Sequence, residues 1–252
     1  MAIQLLKIYG ERNTGTNYLS KLIDLNLQVK QLPGVVPQWL LKAQNKFPRK
    51  ELVRDLYFSM TFHKNLGWKH SQVKPAGDIC KYPICSRNLS FITLTKNPYS
   101  WLHSLYRKPY HQYLSNKQDF ENFLTAPWGS VGRENVAGVI PSPVELWNIK
   151  NASYIQLVNK LPVLALRFED LLEDPQQVME SICEAFSFQW KVNKFRNYDQ
   201  STKESSKDSD FYRDYYLNEQ WKAEFSPKLT TIINKRIDDD VMSYFNYKKW
   251  VA

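Results

Sequence analysis

Gly10-Glu11-Arg12-Asn13-Thr14-Gly15-Thr16-Asn17, two glycines separated by four residues directly after the apolar run Ile3–Tyr9, restricts this chain more than any other stretch. A short apolar run suits a buried strand, and Tyr18, Leu19, Leu22 and Ile23 then recur at helical spacing, with Lys21 and Asp24 on another face. Strand, glycine turn and helix N-terminus in that order aim backbone N–H groups and the positive end of the helix dipole at an anion. In the G-x-x-x-x-G-K-[ST] form of such a loop, the lysine reaches the β- and γ-phosphates and the hydroxyl holds magnesium. Here Thr16 replaces the lysine and Asn17 the hydroxyl. The anion cradle is kept without the triphosphate chemistry, with Gly10, Arg12, Asn13, Thr14, Gly15, Thr16 and Asn17 as its candidate residues.

The rest of the chain alternates strand and helix patterns, which predicts an α/β fold with a central, mostly parallel sheet flanked by helices. Leu66–Ser71 reads as a brief strand ending in a polar tip that carries Lys69 and His70. Ser90–Thr95 is the clearest second strand. It runs into Lys96-Asn97-Pro98, where Asn97 can cap a helix and Pro98 can take its first position, with Trp101, Leu102, Leu105 and Tyr106 facing inward. Pro143–Val158 reads as a helix, with Trp147 and Tyr154 in its core-facing pattern, and Val163–Phe168 as a third buried strand. Asp174-Pro175 opens another helix, and Ser226-Pro227 opens a closing one that carries Leu229 to Met242. Gln200–Asp210 has no apolar residue and reads as a mobile loop. A length of 252 residues fits one domain over 1–252, with irregular insertions near 31–66 and 108–143.

A net charge of +9 implies an anionic partner: a nucleotide-like cofactor, an acidic glycan, nucleic acid or a membrane surface. No apolar run approaches the roughly 18 residues of a membrane span, and the first strand begins too early to leave room for a signal peptide. The expected location is cytoplasmic. Three cysteines (Cys80, Cys85, Cys183) are too few and odd for a disulfide framework, and His63, His70, His103 and His111 lack the companions of a zinc site. Reduced thiols and no metal are expected.

GERNTGTNYL, TLTKNPYSWLHSLY and LRFEDLLEDP, in this order and at this spacing, together resemble the sulfotransferase family. The resemblance implies a P-loop NTPase-like sulfotransferase fold, 3′-phosphoadenosine 5′-phosphosulfate (PAPS) as donor, 3′,5′-adenosine bisphosphate as product, and no metal. It places the 5′-phosphosulfate in the glycine loop. A basic residue followed eight positions later by a serine holds the 3′-phosphate in that family, and Lys96 and Ser104 stand at that spacing. A donor with one phosphate bearing a sulfuryl group has no β,γ-phosphate tail, so it requires neither the usual lysine nor the magnesium hydroxyl.

The chain departs from the family pattern in two places. Asn13 stands where many members carry a lysine, leaving Arg12 or Lys69 to supply that cation, and Lys96 replaces an arginine, keeping the charge without the bidentate grip. His70 is the candidate base for the acceptor proton because it titrates near neutrality at the expected sheet edge, whereas a Glu11 carboxylate in the anion loop would repel the donor. Lys203 and Lys207 in the polar loop could close over the cofactor as a lid. Arg167, Glu169 and Asp170 read as a brace at a strand end.

The reaction implied is transfer of a sulfuryl group from PAPS to a hydroxyl or amine of a small molecule or glycan. A P-loop kinase of a small metabolite is disfavoured by Thr16 and Asn17. A basic nucleic-acid-binding domain is disfavoured because the aromatics follow core periodicity, so no nucleic-acid partner and no membrane span are expected. The sequence fixes neither the acceptor nor an oligomeric state.

Overall fold

Strand β1 (Leu5–Gly10) leads through helix α1 (Thr16–Asn26) to the two-residue β2 (Lys30–Gln31). Helices α2 (Gln38–Ala43), α3 (Lys50–Asn65) and α4 (Ala76–Ile79) precede β3 (Leu89–Thr95) and α5 (Pro98–Arg107). Next come α6 (Phe120–Thr125), the ribbon strands β4 (Trp128–Gly129) and β5 (Val139–Ile140), α7 (Pro143–Ile155) and β6 (Val163–Arg167). α8 (Phe168–Glu173), α9 (Pro175–Phe186), α10 (Ser209–Leu217), α11 (Pro227–Asn234) and α12 (Asp239–Tyr244) complete the order. This computed structural model describes residues 3–47, 49–110, 119–136, 138–199 and 208–252.

The main sheet has the order β2-β1-β3-β6, and every pairing in it is parallel. The α/β expectation therefore holds. β1 is fully buried, and its alternation sorts the core: Leu6 and Ile8 pack with Leu19, Leu22 and Ile23 of α1 and Met179 and Ile182 of α9. Leu5 and Tyr9 pack on the other face with Phe91 and Tyr154.

The strand order reverses between β1 and β3, since β2 lies on one side of β1 and the chain then crosses to the other. In open α/β sheets, ligands bind beyond the strand ends at such a switch point. Register makes the two ends flush: Gly10 pairs with Leu94, so the glycine loop and the Thr95–Asn97 turn emerge side by side.

Several local expectations are corrected. Leu66–Ser71 is a turn, because Leu66 and Gly67 both have positive φ and the Lys69 N–H bonds the Gly34 carbonyl instead of a strand partner. The 31–66 insertion is largely helical instead of irregular, with α2 and the 16-residue α3. Among the described residues of the 108–143 insertion, Tyr110, Leu124, Trp128, Arg133 and Glu134 are buried. β6 is a sheet edge and only half-buried, and helix begins at Phe168. The closing helix is two helices, because Asp238 caps a fresh N-terminus at α12. Asp208 likewise caps α10 at the end of the polar loop. The remainder of that loop, with Lys203 and Lys207, lies outside the described residues, as does His111.

Candidate active site

The glycine loop is shaped from below. A Cβ on Gly10 would lie 2.7 Å from the Leu94 carbonyl, so the end of β1 approaches β3 closely enough to require glycine. Thr14 is buried and its hydroxyl donates to the Glu11 carbonyl at 2.6 Å, closing the turn. Gly15, at φ 81°, forms the N-terminal end of α1, where no side chain caps the first turn. The amide groups of that turn are thus aimed outward, as an anion cradle requires.

Two side chains on one face of β1 place the next piece. The Lys7 ammonium donates to the carbonyls of Asn65 at 2.6 Å and Gly67 at 2.5 Å, and the Tyr9 hydroxyl donates to that of Leu66 at 2.6 Å. The turn after α3 is thereby pinned against the sheet, and the Gly10 N–H bonds the Lys69 carbonyl at 2.9 Å. Lys69 Nζ then donates to Asn17 Oδ1 at 2.5 Å on the first turn of α1. His70 Nδ1 lies 2.6 Å from the Gly10 carbonyl. A carbonyl only accepts, so Nδ1 carries the proton and Nε2 is left as the acceptor. Burial and the Lys69 charge hold the imidazole well below its ordinary pKa, outweighing the Gly10 bond. His70 is therefore a neutral imidazole at pH 7.

Indole donors steady both strand ends: Trp101 Nε1 bonds the Arg12 carbonyl at 2.8 Å, and Trp147 Nε1 bonds the Lys96 carbonyl at 3.0 Å. Glu169 accepts from the Asn97 N–H at 3.0 Å and from the Tyr247 hydroxyl at 2.7 Å, and Arg167 pairs with Asp170, giving the expected brace. Asn97 caps α5 and Pro98 takes its first position. Lys96 and Ser104 meet as their spacing implied, Nζ to Oγ at 3.0 Å. Lys96 is fully buried, however, with the Tyr216 ring centroid 3.7 Å from its ammonium, so Ser104 reaches the cavity wall and Lys96 stands behind it.

One cavity of about 440 Å³ gathers Arg12, Asn13, Gly15, Thr16, Asn17, Lys69, His70 and Ser104. Arg107, Phe168, Tyr212 and Tyr216 line it on the Ser104 side, and Val36, Leu41, Phe58, Trp68 and Arg133 line its other part. Gly10, Thr14 and Lys96 shape its wall without lining it. Arg12 lies with its guanidinium carbon 4.4 Å from the Tyr110 ring centroid.

A model of the sulfotransferase domain matches residues 7–246. The chain belongs to the sulfotransferase domain family. This sulfotransferase resembles in fold a crystal structure of a sulfotransferase from Alicyclobacillus acidocaldarius, at TM-score 0.52 and 14% identity, over 98% of each chain. The sulfotransferase domain from the curacin biosynthetic pathway also matches, at TM-score 0.48 and 14% identity, over 98% of this chain and 99% of that one. No curated protein matches the sequence.

Beneath the glycine loop of this sulfotransferase lies a charged cluster that motif reading missed. Glu11 is buried and turned away from the cavity: it accepts from the Arg12 N–H and the Tyr110 hydroxyl, and pairs with Lys150. It does not present the repelling charge expected of it. Lys150 Nζ also donates to Glu134 Oε1 and to the His70 carbonyl, each at 2.8 Å. Burial pushes this ammonium down, but the Glu11 and Glu134 carboxylates more than offset it and hold its pKa above the ordinary value. Burial lifts the Glu11 carboxyl, with Lys150 pulling it back and Glu134 adding to the lift. One ammonium thus ties the anion loop, the His70 turn and the Gly132–Glu134 turn together. The available signal was a lysine in phase with Trp147 and Tyr154 on the buried face of α7. Glu134 lies in a short 3₁₀ turn and gave none.

Among the described residues no cluster of His, Cys, Asp and Glu could hold a metal, and no helix is long and apolar enough to cross a membrane. The three cysteines are free thiols.

Proposed function

We propose that this protein transfers the sulfuryl group of PAPS to an acceptor hydroxyl or amine on a small molecule or glycan, with His70 as the base. The observation that carries this reading is the position of His70, fixed through Nδ1 to Gly10 at the mouth of the anion loop with Nε2 left as acceptor.

The residues present suit the donor's two anionic ends. The uncapped N-terminus of α1, Asn13, Thr16, Arg12 and Lys69 would hold the phosphosulfate, and Ser104 with the Lys96 charge behind it would hold the 3′-phosphate. Arg107, one helical turn beyond Ser104 on the cavity wall, adds a second cation there. Phe168 and Tyr212 offer aromatic faces between the two for the nucleoside. When bound, PAPS supplies the sulfuryl group, which leaves the 5′-phosphate oxygen as its new bond to the acceptor forms. Arg12 and Lys69 neutralise charge where it develops, His70 Nε2 takes the acceptor proton, and the Gly10 carbonyl steadies the resulting imidazolium.

The test is thermal denaturation with EDTA present. 3′,5′-Adenosine bisphosphate should raise the melting temperature without metal, by about 2.7 kcal/mol of stabilisation at a hundred times its Kd. Stabilisation by ATP with magnesium and none by the bisphosphate would replace this reading with a kinase.

A further inference from the structure

The outward face of α3 inverts the usual pattern of a surface helix. Such a face normally carries charge, whereas here it presents Leu52, Leu56 and Met60 at i, i+4 and i+8, flanked by Ser59, His63 and Lys64. Its carboxylates, Glu51 and Asp55, turn instead to Arg133, and Glu51 also pairs with Arg54. The segment leading into the helix continues the theme with Val35, Trp39 and Phe47. All six of these apolar side chains are more than half exposed.

Exposed cations surround them. Lys42, Lys46, Arg49, Lys50 and Lys64 lie on the same stretch, whose two acidic residues are the engaged Glu51 and Asp55. Large apolar side chains among lysines, with no free carboxylate between them, are the composition of a surface that sinks shallowly into an anionic lipid layer. A protein partner would also bury the apolar groups, but it supplies no general reason for five cations around them that pair with no carboxylate among the described residues. The same segment walls the cavity, since Val35, Val36, Leu41 and Phe58 line the part opposite Ser104. Val35 thus belongs both to the exposed face and to the cavity that holds His70.

We propose that residues 35–47 and 49–64 form a docking surface for an anionic membrane, on which the cavity opens towards acceptors held in the lipid layer. The proposal rests on the sulfotransferase reading only for the statement that an acceptor enters here. The docking itself is independent of it.

Co-sedimentation with vesicles of equal parts phosphatidylcholine and phosphatidylserine, against phosphatidylcholine alone, reads the docking. Partition to the anionic vesicles should be at least about tenfold stronger, and the excess should vanish at high salt. The double variant Leu56→Glu/Met60→Glu changes two outward side chains. It should lower partition about tenfold or more while leaving the melting temperature in place. Equal partition to both vesicle types overturns the proposal, as does a double variant that binds like the parent. A variant that converts a dimer to a monomer without altering vesicle binding also overturns it, by assigning the face to a second copy. Binding of 3′,5′-adenosine bisphosphate in the same preparation separates a failure of docking from a failure of the sulfotransferase reading.

Discussion

His70→Ala or His70→Asn is expected to lower turnover by about 10²–10⁴-fold while leaving affinity for 3′,5′-adenosine bisphosphate nearly unchanged. The split follows from the geometry: Nδ1 is committed to the Gly10 carbonyl, so the ring contributes to acceptor deprotonation through Nε2 and makes no contact that the donor needs. The pH profile gives a second readout. Burial and Lys69 hold the imidazole pKa well below 6.5, so kcat/KM should be flat through neutrality and fall only on acidification, once the imidazole protonates. The sign for stability is the same. The unfolded chain binds that proton more readily, so the His70 contribution is present above pH 6.5 and is lost as pH falls towards the lowered folded value. A variant with normal turnover would make His70 structural and move the search for the base to Lys69 and His63.

Lys150→Met is the second large effect. The ammonium is fully buried between Glu11 and Glu134, and removing it leaves two carboxylates together without a counter-charge. Breaking a buried pair in this way costs about 3–5 kcal/mol, whereas an exposed, solvent-screened pair such as Lys81–Asp78 contributes little. The loss should shrink as pH falls. In the variant the Glu11 carboxyl, already lifted by burial, loses the pull of Lys150, so the folded state holds a proton that the unfolded state releases and stability declines as pH rises. Adding Glu134→Gln should restore part of the stability by removing one of the two buried charges. Urea denaturation of the parent, Lys150→Met and the double variant measures all three. A loss below about 1 kcal/mol for Lys150→Met would mean that the cluster relaxes into water.

The difference between what sequence carried and what it missed has a physical pattern. The Gly10–Gly15 loop and the Asn97-Pro98 cap were legible because each depends on residues a few positions apart at one strand end, whereas the Lys96–Ser104 pair came from the family resemblance. The Lys69–His70 turn was misread as a strand because its shape is set at a distance, by Lys7 and Tyr9 reaching from β1 to the carbonyls of residues 65–67. The Glu11–Lys150–Glu134 cluster joins three segments far apart in the chain, and a lone lysine on an apolar face was its only trace. α3 was obscured for another reason: its outward stripe of Leu52, Leu56 and Met60 blurs the apolar periodicity that normally marks the buried side.

We propose that the glycine loop and the Lys96–Ser104 pair hold the two anionic ends of one nucleotide. Metal-free calorimetric titration of the parent and Lys96→Ala with 3′,5′-adenosine bisphosphate and with adenosine 5′-phosphate tests it directly. The parent should prefer the bisphosphate. Lys96→Ala should weaken the bisphosphate by about 1.5–3 kcal/mol, roughly ten- to 150-fold, while hardly affecting the monophosphate. Equal losses for both ligands, or no preference in the parent, would contradict it.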